Sequence, residues 1–164
     1  MNQTSLVPGS IAEHTGCLLI KLGQVVFRLV EADLSRLGLR VRHYSILQAL
    51  ADQGSMTQLA LGGYLRIDPA TMVSSLDDLE HRTLATRVRD PQDRRRHVVE
   101  LTSAGRRMLA RVNGALEDLD TRLLHDLAAD ERAALHRSLR VLAEGPTLPA
   151  ALDADRETAP GRVT

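Results

Sequence analysis

The sequence has no tryptophan, one phenylalanine (Phe27) and one cysteine (Cys17), and none of its apolar runs approaches the length of a membrane span. With aromatics nearly absent, the 43% of residues that are hydrophobic are mainly Leu, Ala and Val, a palette suited to helices packed on helices. One cysteine excludes an internal disulfide and suits a reducing compartment. Crossing a bilayer takes roughly 20 consecutive apolar residues, and a secretory signal needs a basic-then-apolar order. Neither pattern is present, so a cytoplasmic protein with no membrane partner is expected.

Net charge is also missing, since 21 basic residues balance 21 acidic ones. No Gly-rich phosphate loop, nucleophile motif or paired-carboxylate setting stands out, so neither an enzyme nor a cofactor is expected. His14, His43, His81, His97, His125 and His136 show no i,i+4 pairing and no Cys-x-x-Cys partner, and no metal site is expected. What charge there is, however, is unevenly placed. Lys21 is the only lysine, so the other basic residues are all arginines, and Arg87, Arg89, Arg94, Arg95 and Arg96 stand close together against only Asp90 and Asp93. That window is a focused basic patch able to find phosphate on an otherwise neutral protein.

Apolar residues recur at helical spacing from Ile11 through Leu18, Leu22, Val26 and Leu29 to Leu34, with Gly38 as a stop. A second helix is predicted from about Arg42 to Gly54. Ser55 and Gln58 form a capping-box pattern for a short third helix ending near Leu65. Asp68 then Pro69 is a clear start for a fourth helix running to about His81. From Leu84 to Leu101 the apolar period becomes two, around an Asp90-Pro91-Gln92-Asp93 turn, which reads as a β-hairpin. Thr102 is placed to cap a fifth helix and Asp130 a sixth, which Gly145 and Pro146 end. The fold class expected is mainly α with a small β-hairpin wing. Residues 1–9 form an N-terminal arm, 10–40 and 103–145 a helical dimerisation region, 41–102 a winged helix-turn-helix, and 146–164 a disordered tail.

Three motifs make this specific. They are Asp68-Pro69-Ala70-Thr71-Met72-Val73 with Leu76-Asp77-Asp78-Leu79-Glu80, then Asp90-Pro91-Gln92-Asp93-Arg94-Arg95-Arg96, then Val99-Glu100-Leu101-Thr102 with Gly105. With these the chain resembles the MarR (multiple antibiotic resistance regulator) family. The similarity extends over Gly16 to Leu19, Gly38-Leu39 and Tyr44, covering about residues 10–145 on a domain-length basis. Arg66 and Thr83 stand where the family commonly has glycine, and Ser74 and Asp78 where it often has arginine.

The resemblance implies a homodimeric transcription regulator, a ligand-responsive repressor, that binds double-stranded DNA at a pseudo-palindromic operator. Half-sites would lie about one helical turn, ~34 Å, apart. Arg95 at the wing tip would enter the minor groove, with Arg87, Arg94 and Arg96 as further wing contacts and Asp93 folding back to hold the tip. On the fourth helix Met72, Leu76 and Leu79 face inward. Ala70, Thr71, Ser74 and Ser75 are the base-reading candidates, and Asp78 also points outward. Arg28, His43 and Tyr44 are candidate contacts for a small aromatic or phenolic ligand. Cys17 is the candidate for a redox-responsive mode, although the first helix has no tyrosine to support a thiolate. The alternative from another class is a winged-helix protein-interaction module with little DNA affinity, suggested by the acidic fourth helix and the neutral net charge.

Overall fold

Helix α1 spans Thr15–Arg36, after a 3₁₀ turn at Gly9–Glu13. It ends because Gly38 takes φ +74°, which lets the N–H groups of Leu37 and Leu39 both return to the carbonyl of Leu34. α2 (Val41–Gln53) begins under a carboxylate from α1: Glu31 Oε1 accepts from the N–H of Val41 at 2.8 Å. α3 (Gln58–Leu65) starts at Thr57, whose hydroxyl accepts from the N–H of Ala60. The expected Ser55–Gln58 box is therefore displaced. Thr57 is the N-cap, and Gln58 is the first helical residue.

In α4 (Pro69–His81), Asp68 Oδ1 accepts from the N–H of Thr71 at 2.9 Å, and Pro69 fills the first position, where an N–H has no partner. That bond favours the ionised form and holds the Asp68 carboxyl below its ordinary range. Strands β1 (Ala85–Arg89) and β2 (His97–Leu101) pair antiparallel, with Arg87 opposite Val99 and Arg89 opposite His97. Met56 adds a single bridge to Val99, so the α2–α3 turn is stitched to the hairpin.

α5 (Ser103–Leu123), α6 (Ala129–Glu144) and α7 (Thr147–Thr158) complete the chain. The computed structural model describes residues 6–7, 9–90, 93 and 95–158, with backbone alone over 155–158. The chain divides into two compact units, one up to Leu119 and one from Asp120. In the second unit the N-cap of α6 is Ala128 rather than Asp130, and Glu131 closes the end by accepting from the N–H of Ala128. The expectation of a disordered tail from 146 is corrected over 147–158, which is helical. Ala150, Ala151 and Ala154 favour a helix, and Pro149 lies in its first turn, where the missing N–H costs nothing. No helix among the described residues is long and apolar enough to cross a membrane.

The core of the first unit is aliphatic: Leu34, Leu39, Ile46, Leu47, Leu61, Met72, Leu76, Leu79, Val99 and Val112 are nearly inaccessible. Burying each such side chain contributes roughly 1.5–3 kcal/mol. Two contacts tie α5 to the root of the hairpin. Thr102 Oγ1 donates toward the carbonyls of Thr83 and Leu84 and accepts from the N–H of Gly105. Gly105 itself lies so near β1 that an added Cβ would sit 2.1 Å from the carbonyl oxygen of Leu84.

Candidate nucleic-acid interface

α3, its turn and α4 form a helix-turn-helix, and the β1–β2 hairpin follows as a wing. The turn between the helices passes through Arg66 at φ 54°, and the turn leaving α4 passes through Thr83 at φ 58°. Both are left-handed positions that favour glycine, and they are the two sites where the resemblance leads one to expect it.

The exposed residues of α4 are Pro69, Ala70, Val73, Ser74, Asp77, Asp78 and His81. Thr71 is half-buried, and its carbonyl accepts from the hydroxyls of both Ser74 and Ser75. Ser75 is not available to bases, which corrects its assignment as a reading residue. It shares the inner stripe with Met72, Leu76 and Leu79 at 0% exposure, and its hydroxyl is satisfied at 2.6 Å by the helix itself. Val73 is the outward residue that helical periodicity alone did not single out.

Arg87 also differs from expectation. The face of β1 that carries it turns toward α4. There its guanidinium meets Glu80, Asp77 at 2.8 Å and Gln58 at 3.3 Å, while its backbone N–H donates to Glu80 Oε1 at 2.7 Å. Arg87 is thus an internal tie between α3, α4 and the wing, not a free cation for DNA. The same tie offsets one of the three carboxylate charges that Asp77, Asp78 and Glu80 give α4.

At the wing, Asp93 Oδ1 accepts from the N–H of Arg95 at 3.0 Å, and the Asp93 carbonyl accepts from the N–H of Arg96 at 2.9 Å. Asp93 therefore acts on the backbone of the turn, as an aspartate in an Asx-turn does. Both arginine side chains are exposed. Arg94 lies outside the described residues.

The candidate ligand contacts are placed differently from one another. Arg28 is exposed on α1, and Tyr44 is half-buried against the core, its hydroxyl pKa pushed up by burial and by Asp52. His43 is 2% exposed, so it is a core residue rather than an open pocket wall. Its Nδ1 accepts from the N–H of Arg40 at 3.3 Å, which leaves the proton on Nε2. Nε2 lies 3.5 Å from Asp78 Oδ2, without hydrogen-bond geometry. Burial, and then Arg42, push the His43 pKa below its ordinary value, and Asp78 only partly opposes them.

Cys17 is half-buried beside an open apolar cavity of about 310 Å³, which it lines with Leu6, Val7, Ile11, Ile20 and Lys21. The only lysine, one turn along α1, thus shares a cavity with the only cysteine, a neighbour the sequence reading did not give it.

Residues 39–97 of the chain match the MarR family. A putative transcriptional regulatory protein for the hcr operon of Thauera aromatica is 31% identical over 132 residues, 79% of this chain and 79% of that protein. CouR from Rhodococcus jostii, solved bound to p-coumaroyl-CoA, superposes with a TM-score of 0.70 at 28% identity, over 86% of this chain and 99% of that one. A mutant MarR from E. coli, solved with operator DNA, gives 0.66 at 26% identity, over 77% and 91%.

Proposed function

The chain belongs to the MarR family of transcriptional regulators, and we propose that it acts as a homodimeric, ligand-responsive repressor gripping a pseudo-palindromic operator. The observation that carries the DNA reading is the pairing of an outward α4 face with exposed Arg95 and Arg96 on a turn ordered by Asp93. A helix of this kind meets base edges while a basic wing reaches the adjacent minor groove and phosphates. Arg95 is the minor-groove residue of this reading, because a weakly hydrated guanidinium suits the enhanced negative potential of a narrow groove. Arg96, with Arg94, provides phosphate contacts.

Dimerisation is supported by apolar surface left uncovered. On α1, Leu19, Ile20, Leu22, Val26, Phe27 and Leu29 are exposed, and on α6 so are Leu135, Leu139, Val141 and Leu142. So much exposed aliphatic surface marks an association site, and self-association in closed symmetry is the commonest outcome. Residues 10–40 and 103–145 are accordingly the dimerisation region of this proposal. Ligand response, to a small aromatic or phenolic compound, is supported by the similarity to a regulator solved with p-coumaroyl-CoA.

The interaction-module reading is weakened in part, because Arg87 pairs with Asp77 and Glu80, although Asp77 and Asp78 stay exposed on α4. Binding to DNA upstream of the chain's own gene, measured against salt, tests the proposal. Affinity should fall with a log–log slope of about −0.9 per phosphate contact, and Arg95→Ala should weaken it further. Light scattering should give the mass of two chains. A monomer, or no retention of any upstream fragment at low salt, ends this reading.

A further inference from the structure

We propose that α4 reads thymine through its C5-methyl group, with Val73 as the specificity-determining contact; the inference rests on the DNA reading above. A reading helix meets base edges with its N-terminal residues. In α4 those on the exposed side are Ala70, Val73 and Ser74, of which Val73 is a large apolar side chain left 41% exposed. A single exposed apolar residue is ordinary on a surface. Here, however, it occupies the second turn of the helix, where base contact is made.

The rest of the helix removes the competing codes. Guanine is read in the major groove chiefly by Arg or Lys, and adenine by Asn or Gln in bidentate pairs. α4, Pro69–His81, contains none of these four residue types. An acidic side chain could accept from cytosine N4, but Asp77 and Asp78 lie in the third turn of α4, beyond the N-terminal residues that meet base edges, and Asp77 is also held by Arg87. Ser74 gives its hydroxyl proton to the carbonyl of Thr71 at 3.1 Å, so what it offers outward is an acceptor. An acceptor suits the adenine N6 amino group, the partner of thymine in its pair, and equally the cytosine N4 amino group, so the choice between them falls to Val73. Methyl contact from Val73 and acceptance by Ser74 together describe a T·A step.

The test uses the intact dimer and the operator found by footprinting, with each deoxythymidine of a half-site replaced in turn by deoxyuridine, which deletes the methyl and keeps the pairing. Burying one methyl-sized group predicts a loss of about fourfold when the thymine of a single half-site is changed, and roughly tenfold or more when both half-sites are changed. Val73→Ala should bind thymine and uracil operators alike, Val73→Ile should keep the preference, and neither should alter the salt slope. Tight binding that is indifferent to uracil at every position overturns this inference alone. So does a preference that survives Val73→Ala, or a dominant loss on replacing guanine by 7-deazaguanine. Failure to bind any upstream DNA overturns both this inference and the function it rests on.

Discussion

Glu80 holds Arg87 at two points, accepting from its backbone N–H through Oε1 and from its guanidinium through Oε2. The first bond orients β1 against α4, and the second spends the charge of an arginine that otherwise reads as a wing cation. Both side chains are about a quarter to a third exposed, so solvent screening limits the pair. Arg87→Ala should cost about 1–2 kcal/mol, close to the value of a charge-assisted hydrogen bond. The measurement is a urea midpoint beside a salt titration of DNA affinity. Stability should drop with the salt slope unchanged. A slope shallower by about one phosphate contact, at unchanged stability, would return Arg87 to the DNA-facing set.

Gly105 gives the Leu101-Thr102-x-x-Gly pattern a steric meaning. A Cβ there would stand 2.1 Å from the Leu84 carbonyl oxygen and 2.6 Å from Leu101 Cδ1, and the first of these is backbone. The usual gain from placing alanine in a helix, about 1 kcal/mol, cannot be realised at such distances. Gly105→Ala is expected to destabilise by about 1–3 kcal/mol, the range of overpacking. Its thermal midpoint should fall, whereas Gly114→Ala on the same helix, where nothing lies within 4 Å, should raise it. Equal behaviour of the two variants would remove the close approach as the reason for the glycine.

How far these features could be read beforehand depends on how local their causes are. Asp68-Pro69 starts α4 through one hydrogen bond three residues away, and Thr102 caps α5 the same way, so both were legible. The Arg87–Glu80–Gln58 tie joins three elements, and Arg87 and Gln58 are 29 residues apart, so charge counting saw only a basic patch. The Met56–Val99 bridge was hidden for the same reason, being one residue long and without any periodicity. Ser75 was misassigned because a serine looks polar in sequence, and only the 3.6-residue stripe with Leu79 buries it. Lys21 lies one turn from Cys17, a spacing visible in the sequence, but the cavity they share also needs Leu6, Val7 and Ile11 from outside α1.

Thr83 carries strain that a single substitution can release. A β-branched residue at φ 58° is unfavourable, because its Cβ crowds the backbone in the left-handed region. Its carbonyl, which accepts from Thr102, is independent of the side chain. Thr83→Gly should therefore keep that contact and stabilise by about 1 kcal/mol, the left-handed cost less the entropy that glycine loses on folding. Thr83→Ala, which leaves a Cβ in place, should recover much less. Thermal unfolding of the pair decides the matter, and a Thr83→Gly variant less stable than the parent would show that the turn is not strained.

His43 makes stability depend on pH in a definite direction. Its folded pKa is lowered from 6.5, first by burial and then by Arg42, with Arg82 and Arg40 adding to the effect and Asp78 opposing it. On acidification the unfolded chain therefore binds this proton before the folded chain does, so proton uptake favours unfolding. The contribution of neutral His43 is complete above the unfolded value, and it is lost progressively below it until the folded ring also protonates. Urea midpoints at about pH 7.5 and about pH 5.5 should fall more for the parent than for His43→Gln, which has no proton to bind in that window. Every other group is common to both proteins, so the difference between the two slopes isolates this ring. Identical slopes would mean that Asp78 balances burial, and a parent that gains stability on acidification relative to the variant would mean that Asp78 outweighs it and holds His43 as a charged partner across α2 and α4.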